Sequence, residues 1–279
     1  MIQYLIDVNG VTTRVLEGRP KAFGTGRPSL VLVHGLGARA DRWRANIDAL
    51  AAEGHRVLAF DLPGHGLAQK GALPYSVPFY ADYLKGVIDT LALDDIVLVG
   101  TSLGAHVCAY AATRHRDIAV GLVLVGAVGV LPAGEQARAL IGASVLNTGR
   151  DGVKGKLAFV FRDPSWATEE LVEEEHRVNN SPGAHEAAVV LAEYFRDRLD
   201  DDVVGPLLAE RVNGLPTLLV WGADDVVVPV PVAQASQQLL GGVPLAIIPE
   251  AGHAPYLEKA DEFNEIVLRF LSTLIGAHP

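Results

Sequence analysis

Short, unbroken apolar runs alternate along this chain with longer stretches in which apolar residues recur every three to four positions. The short runs read as strands buried on both faces, and the longer stretches as amphipathic helices. Residues 2–8 and 11–17 differ, because they alternate loosely about Asn9-Gly10 and predict an antiparallel hairpin at the edge of a sheet. Buried-type strands follow at Ser29–Val33, Arg56–Phe60, Ile96–Val99, Val120–Val125, Thr217–Trp221 and Leu245–Ile248. Helical spacing falls between them at about Asp41–Ala52, with Gly54 as its stop, and at Val77–Leu91 and Ser102–Arg114. A last amphipathic helix covers about Ala260–Ile275. Strands interleaved with helices predict an α/β fold, a mostly parallel eight-stranded sheet with helices on both faces.

From Pro132 to Gly214 the pattern changes. Strand signals vanish and amphipathic segments such as Thr168–Val178 and Ala184–Leu199 take over. The stretch is too long for a plain loop. It reads as a helical lid, residues 132–214, inserted into a core made of residues 1–131 and 215–279. Asp200-Asp201-Asp202 within it reads as a solvated turn or helix end.

Composition acts mainly by exclusion. At 279 residues and 49% hydrophobic, the chain can bury one large core. The net charge of -10 is spread along the chain without a basic stripe, which excludes nucleic acid and anionic membrane as main partners. The start, Met1 to Asp7, lacks the basic and apolar regions of a signal peptide, and no apolar run approaches membrane-spanning length. The single cysteine, Cys108, cannot form an intramolecular disulfide and reads as a buried, inert thiol. The expectation is a cytoplasmic protein acting on a small, apolar or aromatic molecule, with a homodimer left open.

The candidate chemistry centres on Gly100-Thr101-Ser102-Leu103-Gly104, where the Ile96–Val99 strand gives way to a small-residue helix. This is the G-x-S-x-G pattern of a nucleophile elbow, in which a strained strand-to-helix turn pushes the serine hydroxyl into the open. In a chain with 29 glycines such a motif can arise by chance, so it needs partners. A serine nucleophile requires a base, a group that orients the base, and donors for the developing oxyanion. In an open parallel sheet these belong on loops at the carboxyl ends of strands. The Thr217–Trp221 strand is followed by Gly222-Ala223-Asp224-Asp225, and the Leu245–Ile248 strand by Pro249-Glu250-Ala251-Gly252-His253. The candidate triad is therefore Ser102, an aspartate and His253, in the order Ser…Asp…His.

On these residues the chain resembles the α/β-hydrolase fold superfamily over essentially its whole length. The matching pieces are His34-Gly35-Leu36-Gly37, Asp61-Leu62-Pro63-Gly64-His65-Gly66, Gly100–Gly104, Gly222–Asp225 with Pro229, and Gly252-His253. In that family's G-x-x-D-x-x-x-P register the acid falls on Asp225, with Asp224 as the adjacent alternative. The oxyanion donors are the backbone N–H of Leu103, next to the nucleophile, and by resemblance that of Leu36.

The other histidines read as structural. His34 would brace the oxyanion loop, His65 would occupy a turn near the pocket mouth, and His106 would sit one helical turn behind Ser102. His55, His115, His176, His185 and His278 read as surface positions. No metal-binding spacing and no phosphate-cradling glycine motif occurs, so neither a metal nor a cofactor is expected.

Specificity would lie in the lid, whose aromatics are Phe159, Phe161, Trp166, Tyr194 and Phe195. Tyr256, near His253, reads equally as pocket rim or as packing for the last helix. The layout further resembles carbon–carbon bond hydrolases that cleave ring-opened products of aromatic degradation. That resemblance implies a carboxylate-bearing substrate and a lid arginine, for which Arg162 and Arg177 are candidates. Thr101 and Ala254 stand where those enzymes usually carry asparagine and tryptophan. The leading expectation is therefore a serine hydrolase of a carboxylic ester or lactone, working through an acyl-enzyme. Carbon–carbon cleavage comes second, and a non-catalytic ligand sensor with this fold third.

Overall fold

The computed structural model describes residues 1–20 and 27–275 of the chain, so the reading of His278 lies outside the described residues. Eight strands form one sheet: β1 (Ile2–Val8), β2 (Val11–Gly18), β3 (Ser29–Val33), β4 (Val57–Phe60), β5 (Ile96–Thr101), β6 (Gly121–Val125), β7 (Thr217–Gly222) and β8 (Leu245–Ile248). Their order is β1-β2-β4-β3-β5-β6-β7-β8. β2 runs antiparallel to both β1 and β4, and every other neighbouring pair is parallel. The hairpin turns on Asn9 (φ 55°) and Gly10 (φ 82°), the left-handed pair that matches the twist of the flanking strands.

Crossovers supply the helices. α1 (Arg44–Ala52) follows a 3₁₀ turn at Ala40–Trp43, then come α2 (Val77–Thr90) and α3 (Leu103–Arg114). Between β6 and β7 lie α4 (Glu135–Leu146), α5 (Arg150–Val160), α6 (Glu169–Asn179), α7 (Ala184–Asp197) and α8 (Gly205–Arg211). The chain ends with α9 (Val230–Leu239), α10 (Pro255–Glu258) and α11 (Ala260–Ile275). Residues of β5 divide by strand periodicity between two cores. Leu98 shares one cluster with Leu84 of α2 and Val107 of α3, while Val97 and Val99 share the other with Trp43, Ile47 and Phe263. Within the helical stretch, α4 packs along α7 and α5 along α6, whereas α8 packs on α3 and α9.

One reading needs correction and another is extended. His55 is buried, its Nδ1 lying 2.8 Å from the Pro28 carbonyl, so the residue after Gly54 ties two loops together rather than facing water. Asp200 and Asp202 are structural. The Asp200 carboxylate accepts from the N–H groups of Ala133 (2.8 Å) and Gly134 (2.9 Å), and Asp202 accepts from the Tyr194 hydroxyl (2.7 Å). Asp200 thus ties the segment just before α4 to the segment just after α7. Among the described residues, no helix is long and apolar enough to cross a membrane, and no cluster of three or more His, Cys, Asp or Glu could hold a metal ion.

Candidate active site

The elbow is built from glycines because backbone crosses backbone there. A Cβ on Gly100 would lie 2.2 Å from the Gly104 carbonyl oxygen, and one on Gly104 would lie 2.2 Å from that of Val33. Neither neighbour is a flexible side chain that could swing aside. Gly104→Ala should therefore lower unfolding stability by about 3 kcal/mol or more. Chemical denaturation checks this, and a midpoint equal to wild type would contradict the crossing. The turn holds Ser102 at φ 54°, ψ -117°, a left-handed position that a non-glycine residue occupies only when its surroundings enforce it. The Ser102 N–H donates to the Val125 carbonyl at 2.9 Å, which anchors the strained residue to β6.

The β7 and β8 loops bring the other two groups together. His253 Nδ1 lies 2.8 Å from Asp225 Oδ2. The second Asp225 oxygen accepts from the N–H groups of Val227 (2.9 Å) and Val228 (2.8 Å), so the carboxylate cannot swing away. With Nδ1 carrying the proton toward Asp225, Nε2 is the basic nitrogen. Among the described residues Nε2 is buried without a hydrogen-bond partner. Asp224 points elsewhere, to Arg162 Nε at 2.7 Å, and is half exposed. Of the two adjacent aspartates, Asp225 alone meets the histidine.

The Leu36 loop lies directly against the elbow. A Cβ on Gly35 would stand 3.1 Å from the Ser102 Cβ, so Leu36 follows a glycine that lets the two backbones close up. His34 braces the loop behind it. Its Nδ1 lies 2.8 Å from the Gly35 carbonyl oxygen, and its Nε2 accepts from the Leu62 N–H at 2.9 Å. Asp61 braces it further, accepting from the N–H groups of Ala40 (2.7 Å) and Leu67 (2.8 Å) and pairing with Arg14. Gly66 is required beside it, because a Cβ there would meet the Asp61 carboxyl at 2.4 Å.

Burial holds the imidazoles of His34 and His106 below the usual histidine range and pushes His65 down to about 3. They stay neutral, as structural side chains. His106 is tied by Nε2 to the Asp202 carbonyl at 2.7 Å. Burial likewise pushes the Cys108 thiol far up, leaving it inert.

Ser102, Leu36, Leu103 and His253 line one cavity of about 690 Å³, to which α4, α5 and α7 also contribute lining residues. Its wall is mostly apolar, with Leu140, Ile141, Val145, Phe159, Phe161 and Phe195 contributing. Tyr256 does both things expected of it, lining the cavity and packing on Phe263 of α11 at 6.2 Å between ring centroids. Trp166 and Tyr194 do not line the cavity. Trp166 packs on Phe161, and the Tyr194 hydroxyl is engaged with Asp202 and with the Val77 N–H.

Neither arginine singled out in the sequence reaches the cavity. Arg162 pairs with Asp224, and Arg177 is mostly exposed and pairs with Glu173. The cations at the cavity are Arg42, Lys70 and Lys156. Arg42, from the 3₁₀ turn before α1, forms an ion pair with buried Glu175 of α6 and lies over the Phe161 ring. Lys156 of α5 reaches the same carboxylate at 3.1 Å and donates to the Gly37 carbonyl, also at 3.1 Å. Burial works to raise the Glu175 carboxyl, but the Lys156 and Arg42 charges outweigh it and hold the group below the usual carboxylate range. No local pattern announces this cluster, since Arg42 and Glu175 stand 133 positions apart.

Known proteins share this architecture. A model of the "Alpha/beta hydrolase family" matches residues 30–266. The chain is 30% identical over 254 residues to the dihydrolipoyllysine-residue acetyltransferase component of the acetoin cleaving system of Pseudomonas putida; the match covers 89% of this chain and 64% of that one. It is also 30% identical over 259 residues to the 2-hydroxy-6-oxononadienedioate/2-hydroxy-6-oxononatrienedioate hydrolase of Burkholderia vietnamiensis, covering 89% of this chain and 88% of the other. A crystal structure of the meta-cleavage product hydrolase CumD, from Pseudomonas fluorescens, superposes with a TM-score of 0.82 at 27% identity, covering 97% of this chain and 98% of that one. A parallel sheet in this strand order, an elbow after β5 and a family match across most of the chain agree, and the protein belongs to the alpha/beta hydrolase family.

Proposed function

We propose that the protein is a serine hydrolase that cleaves a small carboxylic ester or lactone through an acyl-enzyme. The observation that carries this reading is the Asp225–His253 hydrogen bond, made by a histidine that lines the same cavity as the strained Ser102. In the proposed cycle His253 takes the serine proton as Ser102 attacks the carbonyl carbon. The N–H groups of Leu36 and Leu103 hold the oxyanion, and Asp225 stabilises the imidazolium. The protonated His253 then hands its proton to the leaving alcohol. In the second half His253 draws a proton from water as it attacks the acyl carbon, then gives that proton to the Ser102 oxygen as the acyl–oxygen bond breaks, releasing the acid and restoring both residues.

The helical stretch 132–214 acts in this reading as a lid over the core of residues 1–131 and 215–279. Its apolar wall selects an apolar or aromatic substrate and keeps bulk water from the intermediate. Turnover of short p-nitrophenyl esters tests the proposal. The wild type should hydrolyse them, and His253→Ala should lower kcat by about 10³-fold or more. Equal turnover by the two proteins would contradict His253 as the base. No turnover of any ester or lactone, together with tight binding of a small ligand, would point instead to a sensor.

Carbon–carbon bond hydrolysis is the second reading. The likeness to the Burkholderia hydrolase and the Arg42 guanidinium in the cavity wall favour it. Thr101 and Ala254, at the two departures from that enzyme group, weigh against it. Comparing kcat/KM for a 2-hydroxy-6-oxo-dienoate and for an aryl ester separates the two.

A further inference from the structure

The loop that carries His253 is stitched to the helical stretch by groups that the chemistry above leaves unused. The His253 N–H donates to the Val160 carbonyl, at the end of α5, at 2.8 Å. Five residues on, at the end of α10, the Glu258 side chain spans the same seam. Its Oε1 accepts from the Gly252 N–H at 2.8 Å, and its Oε2 accepts from the N–H groups of Arg162 (2.8 Å) and Asp163 (3.3 Å). Gly252 sits so deep in the seam that a Cβ on it would stand 2.7 Å from the Arg162 nitrogen and 2.8 Å from the Val160 oxygen. One carboxylate thus holds the residue before the histidine with one oxygen and the connection after α5 with the other.

We infer that Glu258 is a positioning residue for His253, one that fixes the histidine loop to the residues following α5 so that the imidazole is aimed when α5 is in place. This rests on the reading of His253 as the base. The side chain touches no reacting atom, so its effect must pass through the position of its neighbours. The geometry explains why a carboxylate is needed there. A glutamine of equal size keeps one acceptor oxygen and turns the other position into an N–H donor, which would oppose the N–H groups already aimed at it. Glu258→Gln should therefore part the two segments without changing the volume of the site. Misplacing a catalytic group by about 1 Å costs on the order of 10²-fold in rate.

The test compares wild type with Glu258→Gln in two readouts. Hydrogen–deuterium exchange, followed in peptides covering residues 158–164 and 249–254, should speed up in both segments together while α3 stays unchanged. Steady-state hydrolysis of a p-nitrophenyl ester should show kcat lower by tenfold or more with KM within about threefold, because aim is lost and pocket contacts are kept. Glu258→Asp, which keeps the charge but is one methylene shorter, is the second variant should the glutamine protein not fold, and it should show the same pattern in smaller degree. Exchange unchanged in both segments, or kcat within twofold of wild type in a folded variant, would overturn the inference. The exchange arm reads the stitch even in a protein that hydrolyses no ester, so failure of the hydrolase reading and failure of this one are distinguishable.

Discussion

Ser102→Ala should lower ester hydrolysis by about 10⁴-fold or more in kcat while leaving the fold intact. The reason lies in the division of labour around the elbow. Removing one oxygen takes away the only nucleophile the proposed cycle has, and the Asp225–His253 pair then activates a water without a covalent intermediate. The strain at φ 54° is held by Gly100, Gly104 and the bond to Val125, none of which involves the hydroxyl. Thermal unfolding should accordingly stay close to wild type. Equal turnover by both proteins would remove Ser102 from the mechanism. A large loss of stability would mean that the hydroxyl serves the fold instead.

Asp225→Asn should come second, with kcat lower by about 10⁴-fold, because an amide can turn its N–H₂ toward the histidine and favour the wrong tautomer. The hydrogen bonds from Val227 and Val228 make this sharper. They fix Oδ1 as an acceptor, so the amide oxygen is retained there and the N–H₂ falls at the Oδ2 position facing His253 Nδ1. Nδ1 must then accept, and the proton moves to Nε2, which can no longer take one from Ser102. Asp224→Asn is the matched control. It removes only a half-exposed pairing with Arg162, a contact of the kind worth about 0–1 kcal/mol, so activity should stay within about threefold. Kinetics of both variants on one ester check the assignment. A heavier loss at Asp224 than at Asp225 would reverse it.

Much of this was legible before any coordinates. The strands from β3 onward announced themselves by apolar runs, and the loops after β5, β7 and β8 carry the candidate groups, so Ser102, the aspartate pair and His253 could be found by reading strand ends in turn. Local patterns also carried the hairpin at Asn9-Gly10 and the helical stretch between β6 and β7. The register around Gly222 and Pro229 favoured Asp225 over Asp224, and the hydrogen bond to His253 agrees with that preference.

What escaped the sequence depends on contacts between distant segments. His55 looked like a surface position, yet it is buried, its imidazole against the Pro28 carbonyl just before β3. The triple aspartate looked like a solvated turn or helix end, and it does close a 3₁₀ turn, yet Asp200 also receives two N–H groups 66 and 67 positions away. Arg162 and Arg177 were sought because they belong to the helical stretch, whereas the arginine at the cavity, Arg42, comes from the turn before α1. Glu258 gave no sign of its role, because its three donors come from two segments that only the fold brings side by side.

The central claim is that Ser102 becomes acylated. Treatment with a fluorophosphonate, followed by mass spectrometry of the digested protein, tests it most directly. The account predicts one covalent adduct per chain, on the peptide containing Ser102, formed in step with the loss of esterase activity and absent from Ser102→Ala. Activity lost with the adduct on another residue, or activity retained with Ser102 fully modified, would contradict it.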